Sequence, residues 1–172
     1  MYSEDMILKC EYPILIVGNS GFDKKLGKII DEYSTVIRMN NFVIEGYEEL
    51  VGIKVTHWCV NGYYDISRTF VDNSFSPFTI DDFHSVGVNE FNIRYNTVLT
   101  MAKNNYISDV GFDTSTGFTL LSMFKSLNIS VDIVGFDGFL SWHYWDDNRV
   151  TSQHKGQLEM DIIKTMTNVR FI

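Results

Sequence analysis

Two histidines and a set of short polar side chains carry the chemistry this sequence can offer. His143 lies in the aromatic run Ser141-Trp142-His143-Tyr144-Trp145, and His154 precedes Glu159 by five positions. An imidazole titrates near neutrality, so either ring can take a proton or donate to a phosphate. Taken singly, a structural or surface role is the commoner explanation for a histidine, and His57 and His84 keep it. Asn19 and Ser20 follow a first apolar run, Asn40 ends a second, and Ser115-Thr116-Gly117 opens a segment with helical spacing. A helix start has unpaired N–H groups and partial positive charge, which suit a phosphate. Ser115 and Thr116 can equally be plain helix caps, and Asn40 a turn residue. Gly18-Asn19-Ser20-Gly21 is not GxGxxG and no GK[ST] follows it, so neither a dinucleotide fingerprint nor a P-loop is present.

These residues need elements to hold them. Tyr12 to Val17 is short and apolar, with the length of a buried strand. Gly18 and Gly21 are read as permitting unusual backbone angles in the turn that follows. Leu26, Ile29 and Ile30 predict a helix over about 24–33. Thr35 to Met39 and Lys54 to Val60 read as the second and third strands. Between Asn61 and Gly87 the periodicity fades into an irregular connection, a kind of segment that is often functional. Strands over Val88–Ile93 and Ser130–Phe136 follow, with helices over Tyr95–Asn105, from Asp113–Gly117 onward for about ten residues, and over Gln153–Thr167. Gly138 to Ser152 is a polar, aromatic loop, and Val169–Ile172 is a closing strand. The rhythm predicts one α/β domain over residues 1–172, Rossmann-like, with a mostly parallel twisted sheet and helices on both faces. Open sheets of this kind bind ligands at the C-terminal ends of their strands, where Asn19, Ser20 and Asn40 collect.

Composition narrows the class. The 172 residues include 14 Lys+Arg and 22 Asp+Glu, a net charge of −8. Bulk charge therefore does not attract nucleic acid or anionic membrane, and no basic patch stands out. Cys10 and Cys59 lack CxxC metal spacing and make no disulfide framework. The expectation is a pair of idle thiols in a reducing compartment. The first apolar run is too short for a signal peptide or anchor, so a soluble cytoplasmic protein with no integral membrane segment is the default expectation.

Four segments in order resemble the sialyltransferase family that includes the animal Golgi enzymes. The long motif is similar to Val17-Gly18-Asn19-Ser20-Gly21, Ile30-Asp31 and Val36-Ile37-Arg38-Met39-Asn40, continuing through Gly46-Tyr47-Glu48 and Val51-Gly52 to Thr56-His57. The short motif is similar to Ser115-Thr116-Gly117 followed by Val131-Asp132-Ile133-Val134-Gly135-Phe136. The third is similar to His143-Tyr144-Trp145-Asp146, and the last to His154 through Glu159, the family's His and Glu separated by four residues. Together they cover most of residues 14–165.

The resemblance implies a GT-A-like variant of the α/β fold and an inverting, metal-independent transfer of sialic acid from CMP-sialic acid to a sugar hydroxyl. No cofactor is implied beyond the CMP-sugar donor; the acceptor would be a glycan or lipo-oligosaccharide. It implies that Asn19, Ser20 and Asn40 hold the nucleotide and its phosphate. Ser115, Thr116 and Gly117 would bind the cytidine–phosphate part, and Gly135 would let the nucleotide approach the strand end. His143 would contact the departing phosphate, His154 would take the acceptor's proton, and Glu159 and Tyr144 would support them. With no metal implied, Asp146-Asp147 reads as a solvated acidic pair.

The sequence departs from the family in four places. The animal enzymes have a membrane anchor and stem, whereas the sequence here starts almost at its first expected strand. Residues 128–131 contain no cysteine to pair with Cys10. Asp137 stands where a second glycine is usual, and the insertions that shape acceptor sites are missing. The first two departures fit a bacterial or viral enzyme. The last two leave open another CMP-activated acid such as Kdo as donor; a catalytically idle nucleotide- or glycan-binding domain is the reading from another class. Tyr63 and Tyr64 could stack on an acceptor sugar or pack on the sheet edge. A homo-oligomer is compatible with the aromatic content, with no interface assigned.

Overall fold

The computed structural model describes residues 7–40, 42–61, 89–93, 114–145 and 155–172. The expected helix over Tyr95–Asn105 lies outside these residues, as do Tyr63, Tyr64, His84, Asp146, Asp147 and His154. Among the described residues six strands form one sheet: β1 (Ile14–Val17), β2 (Thr35–Met39), β3 (His57–Asn61), β4 (Asn89–Ile93), β5 (Val131–Val134) and β6 (Val169–Phe171). The order is β4-β3-β2-β1-β5-β6 and every pairing is parallel. The chain builds outward from β1 to one edge, then returns to the other side of β1 for β5. β1 and β5 are therefore neighbours whose following loops leave in opposite directions, which is the switch point where such sheets bind ligands.

Alternation along the strands sorts the core into two layers. Ile14 and Ile16 of β1, Ile37 and Met39 of β2, and Ile133 of β5 face one side. There they meet Phe118, Leu121 and Phe124 of α3 (Thr116–Ser126) and Met160 and Ile163 of α4 (Gly156–Ile163). Leu15, Val17, Val36 and Val134 face the other side, against Ile30 of α1 (Gly27–Asp31) and Tyr33. Leu15 and Ile16 are both fully buried. Covering both faces is what allows near-continuous apolar strands, each such side chain worth roughly 1.5–3 kcal/mol on burial.

Several element ends differ from the sequence expectation. α1 starts at Gly27 rather than 24, because the Leu26 N–H is committed to the Leu50 carbonyl and no side chain caps the helix. It ends at Asp31, and tight bonds from Glu32 and Tyr33 to the carbonyls of Ile29 and Ile30 close the last turn. β3 begins at His57, not Lys54. The N–H groups of Ile53 and Lys54 bond Asp31, and the Lys54 carbonyl accepts from Arg38 Nε, so this stretch serves the neighbouring turn rather than the ladder. β1 and β5 are shorter at their ends than expected. α4 is described from Gly156 and ends at Ile163, with turn bonds from Thr165 and Met166 beyond it.

A four-residue helix not anticipated from sequence, α2 (Glu48–Val51), packs on α1. It is held by Arg38, a buried guanidinium that donates to the carbonyls of Val51 at 2.6 Å and Gly52 at 3.2 Å. Burial pulls Arg38 down to about 10, which leaves it charged at neutral pH. On the same face Asp132 accepts from Tyr33 at 2.6 Å and from Arg170 Nε at 2.7 Å, tying β5 to β6. Among the described residues, no helix is long and apolar enough to cross a membrane.

Candidate functional site

A cavity of about 150 Å3 opens at the switch point. Asn19, Ser20, Asn40, Ser115, Thr116, Gly117, Gly135, His143 and Glu159 all line it. Residues drawn from five separate stretches of sequence thus converge on one concavity.

The two loops that leave β1 and β5 come unusually close. A Cβ on Gly18 would lie 2.1 Å from the Gly135 carbonyl oxygen, and one on Gly135 would lie 2.6 Å from the Gly18 carbonyl oxygen. Gly135 also has φ +72°, a conformation that favours glycine. Neither Gly18 nor Gly21 has a positive φ, so the expectation for that turn needs correction. Gly18 is required by close approach, not by its backbone angle.

Each asparagine does structural work at the cavity rim. Asn19 Nδ2 donates to the Met39 carbonyl at 3.1 Å, joining the ends of β1 and β2. Asn40 has φ +49°, tolerated by asparagine better than by most residues, and its Nδ2 donates to Thr116 Oγ1 at 3.2 Å. The turn reading of Asn40 and its place in the cavity are both true.

α3 begins at the cavity wall. Ser115 is its N-cap, and its Oγ accepts from the Phe118 N–H at 3.1 Å. The Ser115 hydroxyl and N–H in turn donate to Glu159, at 2.5 and 2.7 Å. Glu159 is buried, with 3% exposure, so these two bonds are what satisfy it. The Ser115 hydroxyl is occupied by its own helix and by Glu159 of α4. What α3 presents to the cavity is the N–H pair of Thr116 and Gly117, for which the described residues supply no acceptor. Gly156, the first residue of α4, also lines the cavity, and it follows His154 by two positions. His154 itself lies outside the described residues.

His143 reaches the cavity from the loop after β5. Its backbone forms an antiparallel bridge with Ser20, and its ring stacks on Trp145 at 4.5 Å between centroids. Tyr144 does not line the cavity but clamps the loop. Its hydroxyl donates to the Val43 carbonyl at 2.5 Å and accepts from the Val43 N–H at 3.2 Å, and its ring meets Phe22 and Tyr47 edge-on. Burial pushes Tyr144 up to about 12, so it stays protonated.

Asp137 is a cavity residue that motif reasoning registered only as a departure. Burial pushes its carboxyl up, but hydrogen bonds from Ser141, Ser20 and Leu140 outweigh that and hold it below the ordinary carboxylate value. Ser141, Met39, Phe136 and Phe139 also line the cavity without having been singled out. The available signal was positional: Phe136, Phe139 and Ser141 follow β5, and Met39 ends β2 beside β1.

The remaining groups stay apart. His57 is buried in β3, and burial pulls it down to about 4. Thr56 Oγ1 lies 2.9 Å from both the Val36 carbonyl oxygen and His57 Nδ1, so it ties the ring to the start of β3. Cys10 and Cys59 are not joined in a disulfide; both thiols are pushed up by burial, Cys10 to about 11, and neither is a reactive thiolate. Among the described residues no group of three or more His, Cys, Asp or Glu converges as a metal site would.

Residues 7–84 match glycosyltransferase family 29 (sialyltransferase). The chain is 30% identical to the CMP-N-acetylneuraminate-beta-galactosamide-alpha-2,3-sialyltransferase 1 of Gallus gallus and 28% identical to that of Homo sapiens. Each match covers 91% of this chain and 56% of the relative, so the chain spans little more than half the length of these curated relatives. The fold is similar to a crystal structure of a mammalian sialyltransferase in complex with Gal-beta-1-3GalNAc-ortho-nitrophenol. That similarity has TM-score 0.57 and 20% identity, over 92% of this chain and 68% of that one.

Proposed function

Because the chain belongs to the sialyltransferase family, we propose that it transfers sialic acid from CMP-sialic acid to a glycan hydroxyl, with inversion and without a metal. One observation carries the reading: the cavity at the β1/β5 switch point gathers Asn19, Asn40, the start of α3 and His143. Asn19, Ser20 and Asn40 hold the nucleotide and its phosphate. The N–H groups of Thr116 and Gly117 receive phosphate oxygens, with Ser115 fixing them. The close packing of Gly18 and Gly135 shapes the floor on which the nucleotide lies.

In the reaction, the acceptor oxygen attacks the anomeric carbon while that carbon's bond to the CMP phosphate breaks. His154 takes the acceptor's proton. His143 donates to the phosphate oxygen as negative charge gathers on it, which is where stabilisation lowers the barrier most. A positioned base contributes roughly 10²–10⁴ in rate. The loop that carries His143 also shields the site, which favours transfer over hydrolysis. The names of the relatives point to a beta-galactosamide acceptor and an alpha-2,3 link as the first pair to try.

The test is calorimetric titration with CMP, using UMP and GDP as controls, without added metal and again with EDTA. CMP-sialic acid and CMP-Kdo are then offered with galactoside acceptors. Selective CMP binding and sialyl transfer support the reading. Loss of transfer with retained CMP binding in His154→Ala supports the base assignment. CMP binding without transfer to any acceptor would point to the idle binding domain instead.

A further inference from the structure

The turn after β5 carries a carboxylate that the proposed chemistry does not use. Asp137 lines the cavity, yet its oxygens are taken up by the protein. Oδ1 accepts from the Ser20 hydroxyl at 2.8 Å and from the Leu140 N–H at 3.2 Å, and Oδ2 accepts from the Ser141 N–H at 2.6 Å. Ser141 completes a second tie, its Oγ accepting from the Gly21 N–H at 2.7 Å. The loop after β5 is thereby bound to the loop after β1 across the switch point. Just past these ties lie the Ser20–His143 backbone bridge and the bond from the Tyr144 N–H to the Asn19 carbonyl at 3.2 Å. Where His143 stands relative to Asn19 is thus decided by a short stretch of loop whose other end is anchored on Asp137.

We propose that Asp137 is a positioning residue for the transfer: its carboxylate fixes the loop over residues 138–145 so that His143 faces the same cavity as Asn19 and Asn40. The reaction it serves is the one proposed above, and the inference rests on that reading. Three donors converge on Asp137, and none of these contacts asks it to donate. Only an anionic carboxylate satisfies all three. An amide of the same size would turn an N–H group toward at least one of them. A small displacement of a group acting on a transition state is expensive; about 1 Å can cost on the order of 10² in rate.

The experiment compares Asp137→Ala, Asp137→Asn and Ser141→Ala with the unaltered chain, alone and in a His143→Ala background. The quantities read are kcat, donor KM, CMP affinity and thermal midpoint. Asp137→Ala should lower kcat by roughly 10–100-fold while CMP affinity changes by less than about 3-fold. Asp137→Asn should fall nearly as far, and Ser141→Ala by a smaller factor. In the His143→Ala background the same Asp137 substitution should cost less than about 3-fold, because the group it positions is gone. Losses that multiply in the double variant, or full kcat in Asp137→Asn, would overturn the proposal. If Asp137→Ala does not fold, Ser141→Ala, which cuts the tie to Gly21, takes its place in the same cycle. If the unaltered chain neither binds CMP nor transfers, the sialyltransferase reading fails by itself. The positioning is then judged from the His143 ring signals in NMR: a shift in Asp137→Asn sustains it and unchanged signals overturn it.

Discussion

Gly18→Ala tests the geometry of the switch point with a single methyl. The added Cβ would lie 2.1 Å from the Gly135 oxygen, 2.8 Å from the Gly135 carbonyl carbon and 3.0 Å from Cδ2 of Phe136. The first two are backbone atoms and cannot rotate away. A comfortable carbon–oxygen contact is about 3.3 Å, so the two strand ends must part by roughly 1 Å. Two hydrogen bonds resist that parting: Gly18 N–H to the Val134 carbonyl at 2.7 Å and Ser20 N–H to the Gly135 carbonyl at 3.1 Å. Overpacking costs about 1–3 kcal/mol, and weakening these bonds adds about 1–2 kcal/mol. The sum, about 2–5 kcal/mol, is a large part of a domain's usual stability. Gly46→Ala is the control. Gly46 has φ +82° with nothing within 4 Å of the added carbon, so it meets only left-handed strain, about 1–2 kcal/mol. Urea unfolding of both variants gives the comparison, and calorimetry with CMP should show at least a tenfold weaker site in Gly18→Ala alone. If Gly18→Ala unfolds within 1 kcal/mol of the parent at an unchanged m-value, a threshold well below the costs above, the close approach is not a feature of the protein.

Glu159→Gln should cost about 1–3 kcal/mol in urea unfolding and weaken CMP several-fold, because one Ser115 donor loses its carboxylate partner; unchanged stability would mean the two residues do not meet. His57 makes stability depend on pH. Its folded value of about 4 lies below the ordinary 6.5, so its contribution is complete above pH 6.5 and is lost as pH falls from there towards 4. The full gap corresponds to about 3 kcal/mol, somewhat less with the residual solvent contact, and His57→Gln should flatten that part of the urea midpoint–pH curve. Asp132 behaves as a depressed carboxylate: burial pushes it up, but Arg170 and Tyr33 more than reverse this. Its contribution is present above the ordinary carboxylate value and lost as pH falls through the lower folded one. Asp132→Asn should therefore be less stable than the parent at neutral pH, and the difference should close in acid.

The parts of the fold legible in the sequence are those where one short segment settles its own structure. Thr35–Met39 is β-branched and apolar between a polar residue and Asn40, and it is a strand with those ends. Ser115 is a capping residue before a helical apolar pattern, and it caps α3. What escaped depends on contacts between distant segments. Ser115 and Glu159 stand 44 residues apart, and their pairing follows from α4 docking on α3. Four-residue α2 is too short for periodicity and is held by Arg38 from another strand. Glycine is the clearest case: the letter is visible, but Gly18 serves a close approach and Gly135 both an approach and a positive φ. Only the folded backbone separates those reasons.

The cavity also poses an electrostatic question. The chain carries −8, and the described lining residues include two carboxylates, Asp137 and Glu159, with no Lys or Arg. The proposed donor is itself an anion. At an effective dielectric of about 20, a carboxylate roughly 7 Å from a phosphate repels it by about 2 kcal/mol, so uncompensated charges would weaken the site. Both carboxylates are instead engaged by donors on the protein side, Glu159 by Ser115 and Asp137 by Ser20, Leu140 and Ser141. Lining the same cavity are the uncharged Asn19, Asn40 and the start of α3, whose helix end carries a field of about 0.3–2 kcal/mol. Such neutral donors suit a reaction whose leaving group is CMP. A fixed cation clamp would bind the departing nucleotide tightly as product and delay its release. In the proposed reaction, neutral donors joined by His143 would place most of the stabilisation on the charge that appears as the glycosidic bond breaks, which is the stabilisation that raises kcat.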